Sequence, residues 1–122
     1  MNPLIAGIDL GTTAMKIAIF DTKGKILGNA TIEYQLYTPQ SYFVESDPTI
    51  YMAVIEKGLK LLEEQGVNLN EVTAIGFSLQ SETMFFVDGN CNPLRNSISW
   101  MDNRAVKQSE YLTQKYGNEL CY

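Results

Sequence analysis

The sequence predicts an α/β fold whose mixed sheet begins with a three-strand antiparallel meander. Three observations carry this. Apolar, β-branched segments at residues 4–9, 15–20 and 26–34 are separated only by short turn signals, Gly11-Thr12-Thr13 and Lys23-Gly24. Connections that short join antiparallel neighbours, because parallel neighbours need a long crossover. A stretch of helical periodicity then precedes a fourth apolar run at 72–79, and such a crossover lets that run lie parallel to an earlier strand.

Each element has its own signal. The first strand is a short apolar run that ends in an acid, Asp9. After the third strand, residues 38–45 read as a polar and aromatic loop. Asp47-Pro48 reads as a helix start, with an acid at the N-cap and proline at the first helical position. Tyr51, Val54, Ile55, Gly58, Leu61 and Leu62 recur at helical spacing, and Gly66 stands where a C-cap belongs. Residues 83–88 predict a fifth strand, closed by the turn Asp88-Gly89-Asn90, and residues 97–100 a short sixth. A last helix is predicted over 102–116, ending near Gly117.

Composition narrows the function. The 122 residues make one domain, and 45% hydrophobic with 19% charged residues suffices for a buried core. No apolar run approaches the ~18 to 20 residues of a membrane span. A net charge of −5 disfavours nucleic acid as a partner. The chain has no histidine, which excludes Ser-His-Asp and Cys-His catalysis and histidine metal sites. Cys91 and Cys121 form no CxxC pair and read as free thiols. The N-terminus has no basic segment before its apolar run, so no secretory signal is visible and a cytoplasmic location is expected.

Three segments carry candidate chemistry. In the turn after the first strand, Gly11 lets the backbone approach a ligand, and the hydroxyls and N–H groups of Thr12 and Thr13 suit phosphate oxygens. Asp9 at the strand end can hold Mg2+ through waters, and Lys16 can neutralise a terminal phosphate. An ordinary hairpin turn with a surface acid is the alternative on spacing alone. The second segment is Gln80-Ser81-Glu82 and the third Trp100-Met101-Asp102-Asn103-Arg104. Their carboxamide and carboxylates can grip hydroxyls, and an indole can cover an apolar sugar face. The residues equally allow a solvated Glu82, a core Trp100, Asp102 as the N-cap of the last helix, and Arg104 paired with a nearby carboxylate.

Gly7-Ile8-Asp9-Leu10-Gly11-Thr12-Thr13-Ala14-Met15-Lys16 resembles the first phosphate motif of the sugar-kinase, actin and heat-shock-chaperone ATPase superfamily. More narrowly, it is similar to the start of the FGGY carbohydrate kinases. The two later segments follow in that family's order, over residues 5–105, and the nearest look is that of gluconate- and xylulose-type kinases. The resemblance implies a ribonuclease H-like, actin-like ATPase fold, incomplete in this chain. It implies ATP and Mg2+ as cofactors, with Asp9 organising the metal and Gly11, Thr12, Thr13 and Lys16 facing the phosphates. It places Gln80, Ser81, Glu82, Trp100, Asp102 and Arg104 at the sugar, polyol or aldonate. Ser81 stands where glycerol kinases carry arginine, which weakens glycerol as the substrate, and the xylulose-type Met-His is absent.

Family members are several times longer. Residues 1–122 are therefore expected to be the N-terminal part of the first kinase domain. The general-base aspartate is expected beyond residue 122 and the chain alone is expected to be inactive. An incomplete sheet leaves edges open, which allows a homodimer. The alternative function is a chaperone-like or actin-like ATPase switch, which shares the Asp-x-Gly-Thr turn but lacks the Gln-x-Glu and Trp-x-Asp-x-Arg segments.

Overall fold

The computed structural model describes residues 3–117. Cys121, read above as a free thiol, lies outside them. The elements run β1 (Leu4–Leu10), β2 (Ala14–Phe20), β3 (Ile26–Glu33), β4 (Glu45–Ser46), α1 (Ile50–Glu64), a 3-10 turn at Leu69–Glu71, β5 (Val72–Leu79), β6 (Ser97–Ile98) and α2 (Val106–Tyr116). The main sheet has the order β3-β2-β1-β5, and β4 pairs with β6 in a second, two-stranded sheet. β1, β2 and β3 are antiparallel neighbours, whereas β5 runs parallel to β1 with Asp9 opposite Ser78 and Leu10 opposite Leu79. The ends of β1 and β5 therefore lie side by side. Among the described residues, no helix is long and apolar enough to cross a membrane.

One face of the sheet carries the core. Leu4, Ala6 and Ile8 of β1, Met15, Ile17 and Ile19 of β2, and Ala30 and Ile32 of β3 are buried there by strand alternation. α1 lays Val54, Gly58 and Leu62 on them, one turn apart along one stripe. Gly58 sets how close the helix comes: a Cβ there would lie 2.6 Å from Met15 Cε and 3.1 Å from Ile17 Cγ2. Burying Met15, Ile17 and Ile19 stabilises the fold by about 1.5–3 kcal/mol each.

The start of α1 is corrected and its end is as expected. The helix begins at Ile50, two positions after the expected Pro48, with Thr49 rather than Asp47 at the N-cap and no side-chain cap hydrogen bond; the Asp47 carboxylate instead accepts the Thr49 N–H at 2.9 Å in the turn before it. Gly66 closes the last turn at φ +85°, and its N–H donates to the Glu63 carbonyl at 2.9 Å. Gln65, directly before that glycine, also guards a sheet edge. The Gln65 carboxamide accepts the Asn29 N–H at 3.1 Å and donates to the Asn29 carbonyl at 2.8 Å, filling a place on the outer edge of β3. On β5, Ile75, Phe77 and Leu79 share the face of Ala6, Ile8 and Leu10 but are more than half exposed.

Three further expectations are corrected. Residues 83–88 form no strand; they make only isolated bridges, Met84 with Ile98 and Val87 with Pro93. Asp88 folds that segment back tightly, its carboxylate accepting N–H groups of Asn90 and Asn92, and across that turn only Val87 and Pro93 form a bridge. The predicted loop at 38–45 ends in a strand, β4, whose Glu45 and Ser46 pair with Ile98 and Ser97. The last helix begins at Val106, not at residue 102. Asp102 does not cap it: its carboxylate is taken up by the Val44 N–H and by Arg104.

Candidate functional site

A cleft of about 370 Å3 opens where the ends of β1 and β5 meet, lined by Asp9, Gly11, Thr12, Leu79, Gln80, Ser81, Glu82 and Trp100. The two halves are far apart in the sequence. Parallel pairing of β1 and β5 brings them together, and the ladder continues one step past the strand, with the Gln80 N–H donating to the Leu10 carbonyl at 2.9 Å. Seven of the eleven residues expected at the site thus share one cleft.

The β1–β2 turn is tightly built. The Gly11 N–H donates to the Ala14 carbonyl at 3.0 Å, and a Cβ on Gly11 would lie 3.1 Å from that oxygen, so glycine fits where a side chain would crowd the turn. The Tyr34 hydroxyl donates to the Gly11 carbonyl from below, and the Tyr34 N–H donates to the Thr13 carbonyl at 2.9 Å. Burial pushes the Tyr34 phenol up to about 12, helped by the nearby Tyr51 and the negative charge of Asp9. Tyr34 therefore remains a neutral donor that fixes the turn.

Asp9 is half-buried at the mouth of the cleft, and no salt bridge among the described residues engages it. A single carboxylate beside hydroxyls fits Mg2+, which keeps several waters and takes few protein ligands. No cluster of three or more acidic or sulfur ligands occurs among the described residues, so a dedicated all-protein metal cage is absent there.

Glu82 has φ +65°, a left-handed conformation that is uncommon for a non-glycine residue. The opposite wall is held by side-chain hydrogen bonds. Trp100 Nε1 donates to Thr12 Oγ1 at 2.9 Å, which joins the phosphate-type turn directly to the third segment.

Four expected residues lie elsewhere. Thr13 lines a separate hollow with Ala14, Glu33, Tyr34 and Gln35. Lys16 stands opposite Asp9 in the β1–β2 ladder and lines, with it, a larger hollow of about 630 Å3 on the sheet face away from α1. Asp102 and Arg104 form an ion-pair network. Arg104 Nε and Nη2 donate to the Asp102 oxygens at 2.7 and 2.6 Å, and Nη2 also meets Glu45 Oε1 at 2.7 Å. The guanidinium stacks 3.8 Å from the Phe43 ring centroid. Its hydrogen bonds hold the Asp102 carboxyl down to about 2 and hold Glu45 below the usual carboxylate range, while the two carboxylates push Arg104 up. Pairing with a carboxylate, one of the two readings the sequence left open for Arg104, is thus present.

Residue types and spacing assign no site role to Tyr34, Tyr51, Thr83 or Glu45. Thr83 had a weak signal, a hydroxyl directly after Gln80-Ser81-Glu82. Tyr51 was read only as a helix-face residue, yet its hydroxyl meets Ser46 Oγ at 2.8 Å and accepts from Gln80 Nε2 at 3.4 Å.

Residues 4–122 match the N-terminal domain of the FGGY family of carbohydrate kinases. A xylulose kinase of Staphylococcus epidermidis is 33% identical over 123 residues, covering 100% of this chain and 25% of that protein. A gluconokinase of Bacillus licheniformis is 34% identical, over 100% of this chain and 24% of that protein. Among solved structures, the gluconate kinase of Lactobacillus acidophilus superposes with a TM-score of 0.89 at 25% identity, over 100% of this chain and 24% of that one. The fold is the actin-like ATPase fold of those kinases. The chain spans about a quarter of the length of the curated relatives it matches.

Proposed function

The chain belongs to the FGGY family of carbohydrate kinases, and we propose that it is the N-terminal part of the first domain of a longer kinase that transfers the γ-phosphoryl group of Mg-ATP to a hydroxyl of a sugar, polyol or aldonate. The observation that carries this reading is the shared cleft, in which Asp9, Gly11 and Thr12 face Gln80, Ser81, Glu82 and Trp100. A phosphate seat and a set of hydroxyl-binding groups in one cleft are what phosphoryl transfer to an alcohol requires.

Each residue has a role in that reaction. Asp9 offers the carboxylate that would hold magnesium, which when bound would supply positive charge against the transferring phosphoryl group. Gly11 lets the phosphates approach the backbone. Thr12 Oγ1 accepts from the indole, which leaves its own O–H free to donate to a phosphate oxygen. Lys16, beside Asp9, adds positive charge at the rear of the turn. Gln80, Ser81 and Glu82 bind the acceptor's hydroxyls, and Trp100 offers an apolar face to its ring or chain. Asp102 fixes Arg104, and Arg104 ties the Trp100 segment to β4.

The remainder of the parent supplies the general-base aspartate and the adenine pocket, and it covers the exposed face of β5. A cytoplasmic setting fits the exposed free thiol of Cys91.

ADP release by the longer parent with Mg-ATP, measured across glycerol, ketoses, pentitols and aldonates, tests the reading. Release that depends on one of these acceptors, and is absent from residues 1–122 run alongside, is the expected result. An ATP-binding parent with no acceptor-dependent release overturns it and favours an ATPase switch.

A further inference from the structure

Trp100 is 53% exposed, yet it is held at two points. Its indole Nε1 donates to Thr12 Oγ1 at 2.9 Å, and its backbone N–H donates to Thr83 Oγ1 at 3.2 Å. The Thr83 hydroxyl in turn donates to Gln80 Oε1 at 3.2 Å. Gln80 Nε2 then reaches the Tyr51 hydroxyl on α1 at 3.4 Å. One path of hydrogen bonds thus runs from the β1–β2 turn through both candidate sugar-binding segments to the helix.

A large exposed side chain is usually fixed by nothing and samples several rotamers. Here directed bonds replace burial, so a flat apolar face stays open to solvent in one orientation. Such pre-ordering lowers the entropy lost when a ligand is bound. Thr83 is the branch point. Its single O–H is committed to Gln80 while its oxygen accepts from Trp100, so one hydroxyl sets the relative placement of both groups.

We propose that Thr83 is a positioning residue that fixes Trp100 and Gln80 toward a carbohydrate acceptor, with the Thr12 hydroxyl as the second anchor of the indole. The identity of the ligand rests on the kinase reading. The positioning rests only on the hydrogen bonds of this chain.

Trp100 is the one tryptophan of the sequence, so its fluorescence anisotropy decay reads the motion of this indole directly. Thr83→Val keeps the side-chain shape and removes the hydroxyl, whereas Thr83→Ser keeps the hydroxyl. In the 122-residue chain, Thr83→Val and Thr12→Val are expected to lower the residual anisotropy of Trp100, and Thr83→Ser to preserve it. In the longer parent, Thr83→Val is expected to raise the KM of the acceptor about 3- to 10-fold while the KM of ATP changes less than about twofold, with Thr83→Ser restoring the native value.

Unchanged anisotropy in both valine variants overturns the proposal. So does a Thr83→Val parent whose two KM values rise together, with a lowered unfolding midpoint and no rescue by serine, since that is the pattern of a merely structural threonine. Lowered anisotropy together with a native parent that turns over no acceptor supports the positioning and overturns the kinase reading instead.

Discussion

Arg104→Ala would test whether the third segment is held by charge. In the native protein the Arg104 guanidinium donates to both Asp102 oxygens and to Glu45 Oε1, at 2.6 to 2.7 Å. The side chain of Asp102 is 2% exposed and that of Glu45 11%, so neither carboxylate can fall back on full hydration. The depression of Asp102 from its ordinary 3.8 to about 2 corresponds to about 2 kcal/mol of differential stabilisation. Glu45 keeps Arg95 at 2.7 Å after the substitution, which places the total cost near the lower end of that for breaking a buried ion pair, about 3 kcal/mol at pH 7.

The pH dependence follows from the sign of the shift. A carboxyl whose folded pKa is depressed contributes stability above its unfolded pKa and loses it as pH falls through the folded value. The Asp102 contribution is therefore complete above about pH 4 to 5 and fades toward pH 2. Without Arg104 that depression is lost, so the part of the acid limb that Asp102 contributes flattens, and the cost of the substitution shrinks as pH falls toward 2. Urea unfolding of the 122-residue chain, followed by circular dichroism from pH 2.5 to 7, reads both effects. A cost below about 1 kcal/mol at pH 7, or an acid limb that coincides with the native one, would refute the network as a determinant of this segment's placement.

Other outcomes follow from the same geometry. Asp9→Asn in the longer parent is expected to lower kcat on the order of 100-fold with little change in unfolding midpoint, measured by coupled ADP assay and thermal melt. Gly58→Ala gains about 1 kcal/mol of helix propensity but drives a Cβ to 2.6 Å from Met15 Cε, so a net loss of about 1–2 kcal/mol is expected in urea unfolding; a gain would show that Met15 repacks freely. In an alkaline absorbance titration one tyrosine is expected to ionise only near pH 12, and Tyr34→Phe to remove it. Because that pKa is raised, the Tyr34 contribution is full below about pH 10 and is lost as pH rises through 12.

Strand periodicity and turn chemistry made β1, β2, β3 and α1 legible, because in each of them the local signal and the burial pattern agree; β5 was legible from its apolar run after the crossover helix, although its residues stand exposed. Val54, Gly58 and Leu62, all buried, recur at the spacing that marked the helix. The segment at 83–88 was misread because its apolar residues, Met84, Phe85, Phe86 and Val87, have strand propensity but no strand beside them to complete a ladder. Strand propensity is realised only through neighbours. β4 was invisible for the opposite reason: Glu45 and Ser46 are polar, and what makes them a strand is β6, more than fifty positions away.

The candidate site divides the same way. Asp9, Gly11, Thr12, Gln80, Ser81, Glu82 and Trp100 could be named from residue type, order and resemblance, because the chemistry of a phosphate turn and of hydroxyl-binding groups is written in the side chains themselves. Which of them meet could not. Only the parallel pairing of β1 with β5 sets the Asp9 end beside Gln80, and only the bond between Trp100 and Thr12, 88 positions apart, closes the cleft. Asp102 and Arg104 carry the same chemical promise in the sequence, yet packing delivers them to Glu45 and Phe43. Residue types already say which groups this protein can offer a ligand. Their partners come from packing, because hydrogen bonds and ion pairs depend on distances that strand register and helix placement set.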